Sequence, residues 1–291
     1  MIARSHALRT AGEHDLGRVW ALARQEGLFG SLDELRSAWA RVPWTIQVSD
    51  AGDLAILDRW REHLPLMAVS ALWSPERSVS SHMAALHAVA RAHGFEDVLS
   101  PFVPEDGVAP YLKAGMRIVH TGLAMARRTG APLPDERPTG TAFEIADESA
   151  LEQLLALDIA CFSDFWRYDV RLMARYLASD RTVVAKRGLA VVGYAMCRID
   201  RGHGVVGRLA VAPAHRGNGI GSALLADCLR YLERQGIHRT VLYTQAGNDA
   251  AQRLYARFGF ESIGPRKHLL AFGAVETEKG VTPCSPGVRS S

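Results

Sequence analysis

The stretch richest in chemistry is Leu209–Leu225, LAVAPAHRGNGIGSALL. A β-rich run ends at Pro213. A turn with Gly217, Gly219 and Gly221 follows, and an amphipathic helix is expected from Ser222. Glycine takes positive φ and approaches a ligand with no Cβ in the way. The first turn of a helix presents N–H groups without intrahelical partners and a partial positive charge. Together they form an anion cradle suited to a phosphate or pyrophosphate. Arg216 adds a full positive charge at the rim. A second block lies downstream at Asn248, Ala251, Leu254, Tyr255, Gly259 and Phe260.

The glycine turn is not a P-loop, because no G-K-[ST] tripeptide occurs. It is not a dinucleotide fingerprint either. In G-x-G-x-x-G the third glycine falls on Ser222 or Leu224, depending on the frame. The pattern [R/Q]-x-x-G-x-[G/A] does fit, as Arg216-Gly217-Asn218-Gly219-Ile220-Gly221. With N-x-x-A-x-x-L-Y-x-x-x-G-F following at 248–260, the chain resembles the GCN5-related N-acetyltransferases over about residues 142–272. The resemblance implies acetyl-CoA as co-substrate, no metal, and direct transfer of the acetyl group to a primary amine of a small molecule or peptide. It also implies cofactor contacts from the strand Leu209, Ala210 and Val211, through backbone groups of Leu209 and Val211. The turn Arg216, Gly217, Asn218, Gly219, Ile220, Gly221 and Ser222 would hold the pyrophosphate, and Asn248 the pantetheine or the end of the next strand. Tyr255 matches the hydroxyl that protonates the departing thiolate, although it also reads as a packing aromatic. Two rivals keep the same cradle: a non-catalytic acyl-CoA sensor or scaffold, and a transferase for another acyl chain or for a hydroxyl or thiol acceptor.

The acceptor end is carried by no motif. The loop expected after the first helix of this half, Asp158–Asp169, holds Phe162, Phe165, Trp166 and Tyr168 with Asp164 and Asp169. Aromatic walls with carboxylates suit a cationic or aromatic amine. The same aromatics equally suit a helix–sheet interface. Asp200, His203 and Glu261 are unranked candidates for the base that takes the amine's proton. Cys161 and Cys228 read as structural, Phe258 and Phe260 as core, and Arg253 and Arg257 as a solvated helix face.

These residues need a scaffold of alternating helices and strands. Ser149–Leu157 has helical spacing; 182–185 and 190–198 form a hairpin, and 205–211 a further strand. A helix over 222–235 stops at Gly236. Strand 240–244, helix 249–258 and strand pieces at 260–263 and 268–272 complete an α/β half with a mixed sheet. The first half echoes it: strand 66–72, helix 82–92, Gly94, strand 97–99, then Tyr111-x-x-x-Gly115 against Tyr255-x-x-x-Gly259. A duplicated fold follows as the expectation, with a degenerate first copy, because SPERSVSS (74–81) stands where the glycine turn should be. The expected division is 1–126, a Pro/Gly-rich linker at 127–140, the cofactor-binding domain at 141–273 and a flexible tail at 274–291. This tandem arrangement is similar to that of mycothiol synthase-like acetyltransferases.

Length and composition exclude other classes. The 291 residues are 48% hydrophobic and 22% charged, which is globular composition. A formal charge of +3 is too small to make nucleic acid or an anionic membrane the main partner. The four cysteines contain no C-x-x-C pair, so neither a zinc site nor a disulfide framework is expected. No 18-residue apolar run and no signal sequence is seen. The expectation is a cytoplasmic monomer or homodimer.

Overall fold

The structure is a computed structural model that describes residues 5–130, 132–134 and 138–277. The expected flexible tail lies outside the described residues from 278 onward, as do 131 and 135–137 of the expected linker. The chain packs as two compact units. One is Met1–His120 with Lys267–Val275; the other contains Thr121–Arg266. This division differs from the one expected at 127–140. Residues 127 and 128 belong to a strand rather than to a linker, and Arg127 is buried, with Nη2 donating to Glu233 at 3.2 Å.

The first unit runs β1 (Arg9–Thr10), α1 (Leu16–Glu26), α2 (Leu32–Arg41), β2 (Ile46–Val48), β3 (Leu54–Arg59), β4 (Leu66–Trp73), α3 (Glu76–Ala92), β5 (Asp97–Leu99), β6 (Val103–Pro104) and α4 (Ala109–Lys113). Its sheet has the order β1-β2-β3-β4-β5, antiparallel until β4 and β5, which are parallel across the α3 crossover. Helix α3 starts two turns earlier than its apolar spacing suggested. Pro75 precedes it, and Ser78 N–H bonds back to the Pro75 carbonyl. Met83, Leu86 and Ala90 of α3 are buried against Ala55, Leu57, Met67 and Val69 of the sheet.

Strand β7 (Arg117–Arg128) leads into the second unit: β8 (Ala142–Ile145), α5 (Leu151–Cys161), α6 (Val170–Ser179), β9 (Arg181–Arg187), β10 (Ala190–Asp200), β11 (His203–Val211), α7 (Ile220–Arg234), β12 (Arg239–Gln245), α8 (Asp249–Arg257) and β13 (Glu261–Ala271). Its strands lie in the order β7-β12-β11-β10-β9-β8. From Gly122 to Arg128, β7 pairs antiparallel with β12. Strands β9, β10 and β11 form an antiparallel meander, and β11 and β12 are parallel across the α7 crossover. The apolar stripe of α7, Leu224, Leu225, Cys228, Leu229 and Leu232, is fully buried.

The two units share one element order, strand, two helices, a three-stranded meander, crossover helix, parallel strand, short helix, strand, to which the first adds β6 between its parallel strand and its short helix. The final strand is one continuous element, not two pieces. Its second half belongs to the first unit, where Lys267 and His268 pair with Pro104 and Val103, and Leu270 accepts the Ser100 N–H at 2.9 Å.

Candidate functional site

Strands β11 and β12 pair only from Gly204↔Thr240 to Val206↔Leu242. Beyond that the register holds no further pairs, so a gap opens between the two parallel strands. Its onset is a bulge: β10 pairs Met196 with Arg208 but Cys197 with Val206, which leaves Gly207 unmatched. Ala212 N–H bonds to Val192 on β10 at 2.9 Å. In an antiparallel ladder the backbone groups alternate sides. Those of Leu209 and Val211 therefore turn toward the gap, and those of Ala210 toward Tyr194 on β10. Ala210 is thus tied into the sheet and buried.

The strand leads through Pro213–His215 to the glycine turn. Gly217 and Gly219 have φ of +78° and +75°, where an L side chain is strained. The first N–H to bond within the helix is that of Ala223, to Gly219 at 3.0 Å. The N–H groups of Ile220, Gly221 and Ser222 therefore have no intrahelical partner. Gly221 has no such backbone requirement; a Cβ there would meet Val211 at 3.6 Å and Leu254 at 3.7 Å, both ordinary contacts. Asn218 is exposed, with Nδ2 3.4 Å from the His215 carbonyl. Arg216 folds back instead of standing at the rim. Its Nε donates to the Val211 carbonyl at 3.1 Å, the same oxygen that Cys161 Sγ approaches at 3.4 Å. Burial pushes the Cys161 thiol up despite Arg216.

Asn248 caps α8, its side chain accepting from Ala251 N–H at 3.1 Å. Tyr255, on α8, is buried in the core of α7 and packs edge-on to Phe260 at 6.0 Å. Burial pushes its phenol up to about 12. It stays protonated through neutral pH.

The loop 162–169 follows the packing alternative. Helix α5 continues to Cys161, so Asp158 is on the helix and wholly buried. Asp158 accepts from Arg208 Nε at 3.0 Å and Nη2 at 2.7 Å, from Tyr168 N–H at 2.6 Å and from the Tyr194 hydroxyl. Arg208 Nη2 also donates to the Trp166 carbonyl at 3.0 Å. The guanidinium carbon lies 3.6 Å from the Phe162 ring centre and 3.9 Å from that of Tyr168. The aromatic box whose composition suits an amine already contains the chain's own cation. Burial opposes the Arg208 charge, but Tyr194, Asp158 and Tyr168 outweigh it and raise its pKa. Asp164 pairs with Arg167 at 2.8 Å, and Asp169 caps α6 through Leu172 N–H. No sequence motif announced Arg208 or Asp158. The signal available was a charged residue inside the β-rich run 205–211.

Of the base candidates, Asp200 and His203 face each other across the β10–β11 hairpin. His203 lies six residues before Leu209, about 20 Å along the strand at roughly 3.3 Å per residue. Glu261 is exposed at the start of β13.

Residues 150–260 match the model of the acetyltransferase (GNAT) family. Two curated relatives are mycothiol acetyltransferases. That of Arthrobacter sp. (strain FB24) is 37% identical over 76 residues, 24% of this chain and 24% of the relative. That of Brachybacterium faecium is 29% identical over 196 residues, 60% of this chain and 57% of the relative. The aligned stretches thus span from about a quarter to just over half of the relatives' length. Among solved structures, a tandem GNAT protein from the clavulanic acid biosynthesis pathway superposes with a TM-score of 0.64 at 15% identity, over 94% of this chain and 100% of that one. That likeness shows a shared fold.

Proposed function

Since residues 150–260 match the model of the GNAT acetyltransferase family, we propose that the second unit moves the acetyl group of acetyl-CoA directly to a primary amine of a small molecule or peptide. The observation that carries this reading is the gap between β11 and β12, opening beside the uncapped first turn of α7. Acetyl-CoA supplies the activated acyl group. The amides of Ile220, Gly221 and Ser222 receive its pyrophosphate, with Arg216 swinging from Val211 to join them. The backbone groups of Leu209 and Val211 pair with the two pantetheine amides, which need partners once out of water. The gap-facing edge has no strand partner beyond Val206, and this is what suits it to an extended ligand. Asn248 stands at the start of α8, on the far side of the gap from β11.

Transfer forms the nitrogen–carbon bond as the carbon–sulfur bond breaks. The amine must arrive neutral; the proton it loses on becoming an amide passes to solvent, and the departing thiolate takes one from solvent. Tyr255 donates toward the sulfur. Its phenol, at about 12, is a weaker acid than a thiol near 8.5. It therefore acts by a hydrogen bond that strengthens as charge develops, and it keeps its proton at working pH. The first unit would play another part. It has Ser74-Pro75-Glu76 leading straight into α3 where the second has its glycine turn, so we assign coenzyme A to the second unit alone.

Calorimetry with coenzyme A and a thiol-release assay over a panel of amines test the reading. Gly219→Glu should abolish binding, since it puts bulk, strain and negative charge in the cradle. Tyr255→Phe should bind normally and turn over about 10²-fold or more slowly. Wild-type protein that binds no coenzyme A ends the proposal. Binding without turnover, indifferent to Tyr255→Phe, would make the unit an acyl-CoA sensor.

A further inference from the structure

The first unit contains a hydrogen-bonded serine and histidine that acyl transfer by the second unit does not use. Ser74 lies between β4 and α3 and is partly exposed. His82, on α3, is buried. Its Nδ1 is 2.8 Å from Ser74 Oγ, and its Nε2 is 2.7 Å from the carbonyl oxygen of His6. A carbonyl can only accept. In the neutral ring Nε2 therefore carries the proton, and Nδ1 accepts from the Ser74 hydroxyl. Asp53, buried, holds Oδ2 3.7 Å from the same Nε2. That carboxylate is in turn fixed by Ser49 Oγ at 2.7 Å and His6 Nδ1 at 2.8 Å. A hydroxyl, a base bonded to it, and a carbonyl and carboxylate that orient the base are the relations of an activated nucleophile.

The surroundings supply the rest. Ser78 N–H is bonded to Pro75, whereas the N–H groups of Glu76 and Arg77 start the helix without intrahelical partners. They are the donors nearest in sequence for an oxyanion formed at Ser74. An open cleft of about 520 Å³ begins at the next residue, lined by Pro75, Glu76, Arg77, Ser80, Pro110 and Lys113.

We infer that Ser74 is the nucleophile of a second site, one that cleaves small acyl esters or thioesters. Ser74 Oγ bonds to the acyl carbon as the bond to the leaving alcohol or thiol breaks. His82 Nδ1 takes the hydroxyl proton and returns it to the leaving group. Water, deprotonated by the same nitrogen, then releases the carboxylic acid and restores Ser74. The inference is independent of the transfer reading, because every residue in it belongs to the first unit.

The test treats the full chain with a fluorophosphonate, which traps nucleophilic serines with loss of fluoride. Adducts are located by peptide mass spectrometry, with Ser80, which lines the adjoining cleft, as internal reference. Ser74 should label at least about 100-fold faster than Ser80, and His82→Gln should remove most of that advantage. p-Nitrophenyl acetate should give a burst in the wild type and none in Ser74→Ala, whose unfolding midpoint and coenzyme A binding stay unchanged. Equal labelling of Ser74 and Ser80 in the wild-type chain overturns the site. So does undiminished labelling in a folded His82→Gln. If that variant does not fold, the wild-type ratio alone decides.

Discussion

Two buried residues show how a single side chain changes meaning with its neighbours. Arg208 and Asp158 form a charge pair with almost no access to water, and the pair has enough partners to satisfy both members. Removing one partner leaves the other's charge buried alone, which typically costs about 3–5 kcal/mol. Asp158→Asn and Arg208→Met should each lower stability by about that much, read from urea unfolding. The double replacement Asp158→Leu/Arg208→Met should recover a large part of the loss, because an apolar pair has no charge to desolvate. If the single and double variants are equally damaged, the pair is not what holds loop 162–169 on the sheet. The same arrangement explains why the aromatics of this loop are filled from within the chain: Phe162 and Tyr168 stack on a guanidinium from a strand about 40 residues away.

The decisive element contact is that between β10 and the start of α7. Gly193 lies directly under it. A Cβ at that position would come within 3.0 Å of Leu224 Cδ1, 3.1 Å of Ile220 Cγ2 and 3.1 Å of the Ala210 carbonyl. The carbonyl is backbone in the middle of a ladder and cannot retreat. Gly193→Ala is expected to cost about 1–3 kcal/mol by overpacking. It should also push the first turn of α7 outward, weakening coenzyme A binding several-fold while Gly236→Ala, outside that contact, leaves binding alone. Paired calorimetry and thermal melts separate the two effects. Unchanged binding in a destabilised Gly193→Ala would mean that the strand does not set the position of the cradle.

Across the molecule, the chain repeats one element order and then returns its last strand to the first unit. That return places two histidines of the first unit together. His120 is buried, and burial, with a smaller contribution from His268, pushes its pKa down to about 4. The unfolded chain, with histidine near 6.5, takes up this proton first. The stability tied to neutral His120 is therefore complete above about pH 6.5 and is lost as pH falls toward 4, up to about 3 kcal/mol. Urea midpoints measured from pH 4 to 7 should show this slope in the wild type and a flatter one in His120→Gln. Equal slopes would assign the acid sensitivity to other groups.

The local patterns were legible because they depend on near neighbours in the chain. The glycine turn, the apolar stripe of α7, the hairpin of β9 and β10 and the tyrosine–glycine echo all appear as spacing, and all are present in the fold. Helices α1, α2 and α6 and the full length of α3 carried no such signal, since short polar helices such as α2 and the first turns of α3 gain their stability from packing. The gap between β11 and β12, the return of Arg216 to Val211, the Arg208–Asp158 pair and the Ser74–His82–Asp53 cluster depend on residues 5–50 positions apart. Side chains so separated meet only once sheet register and helix crossings have fixed their directions, and no period along the chain encodes that.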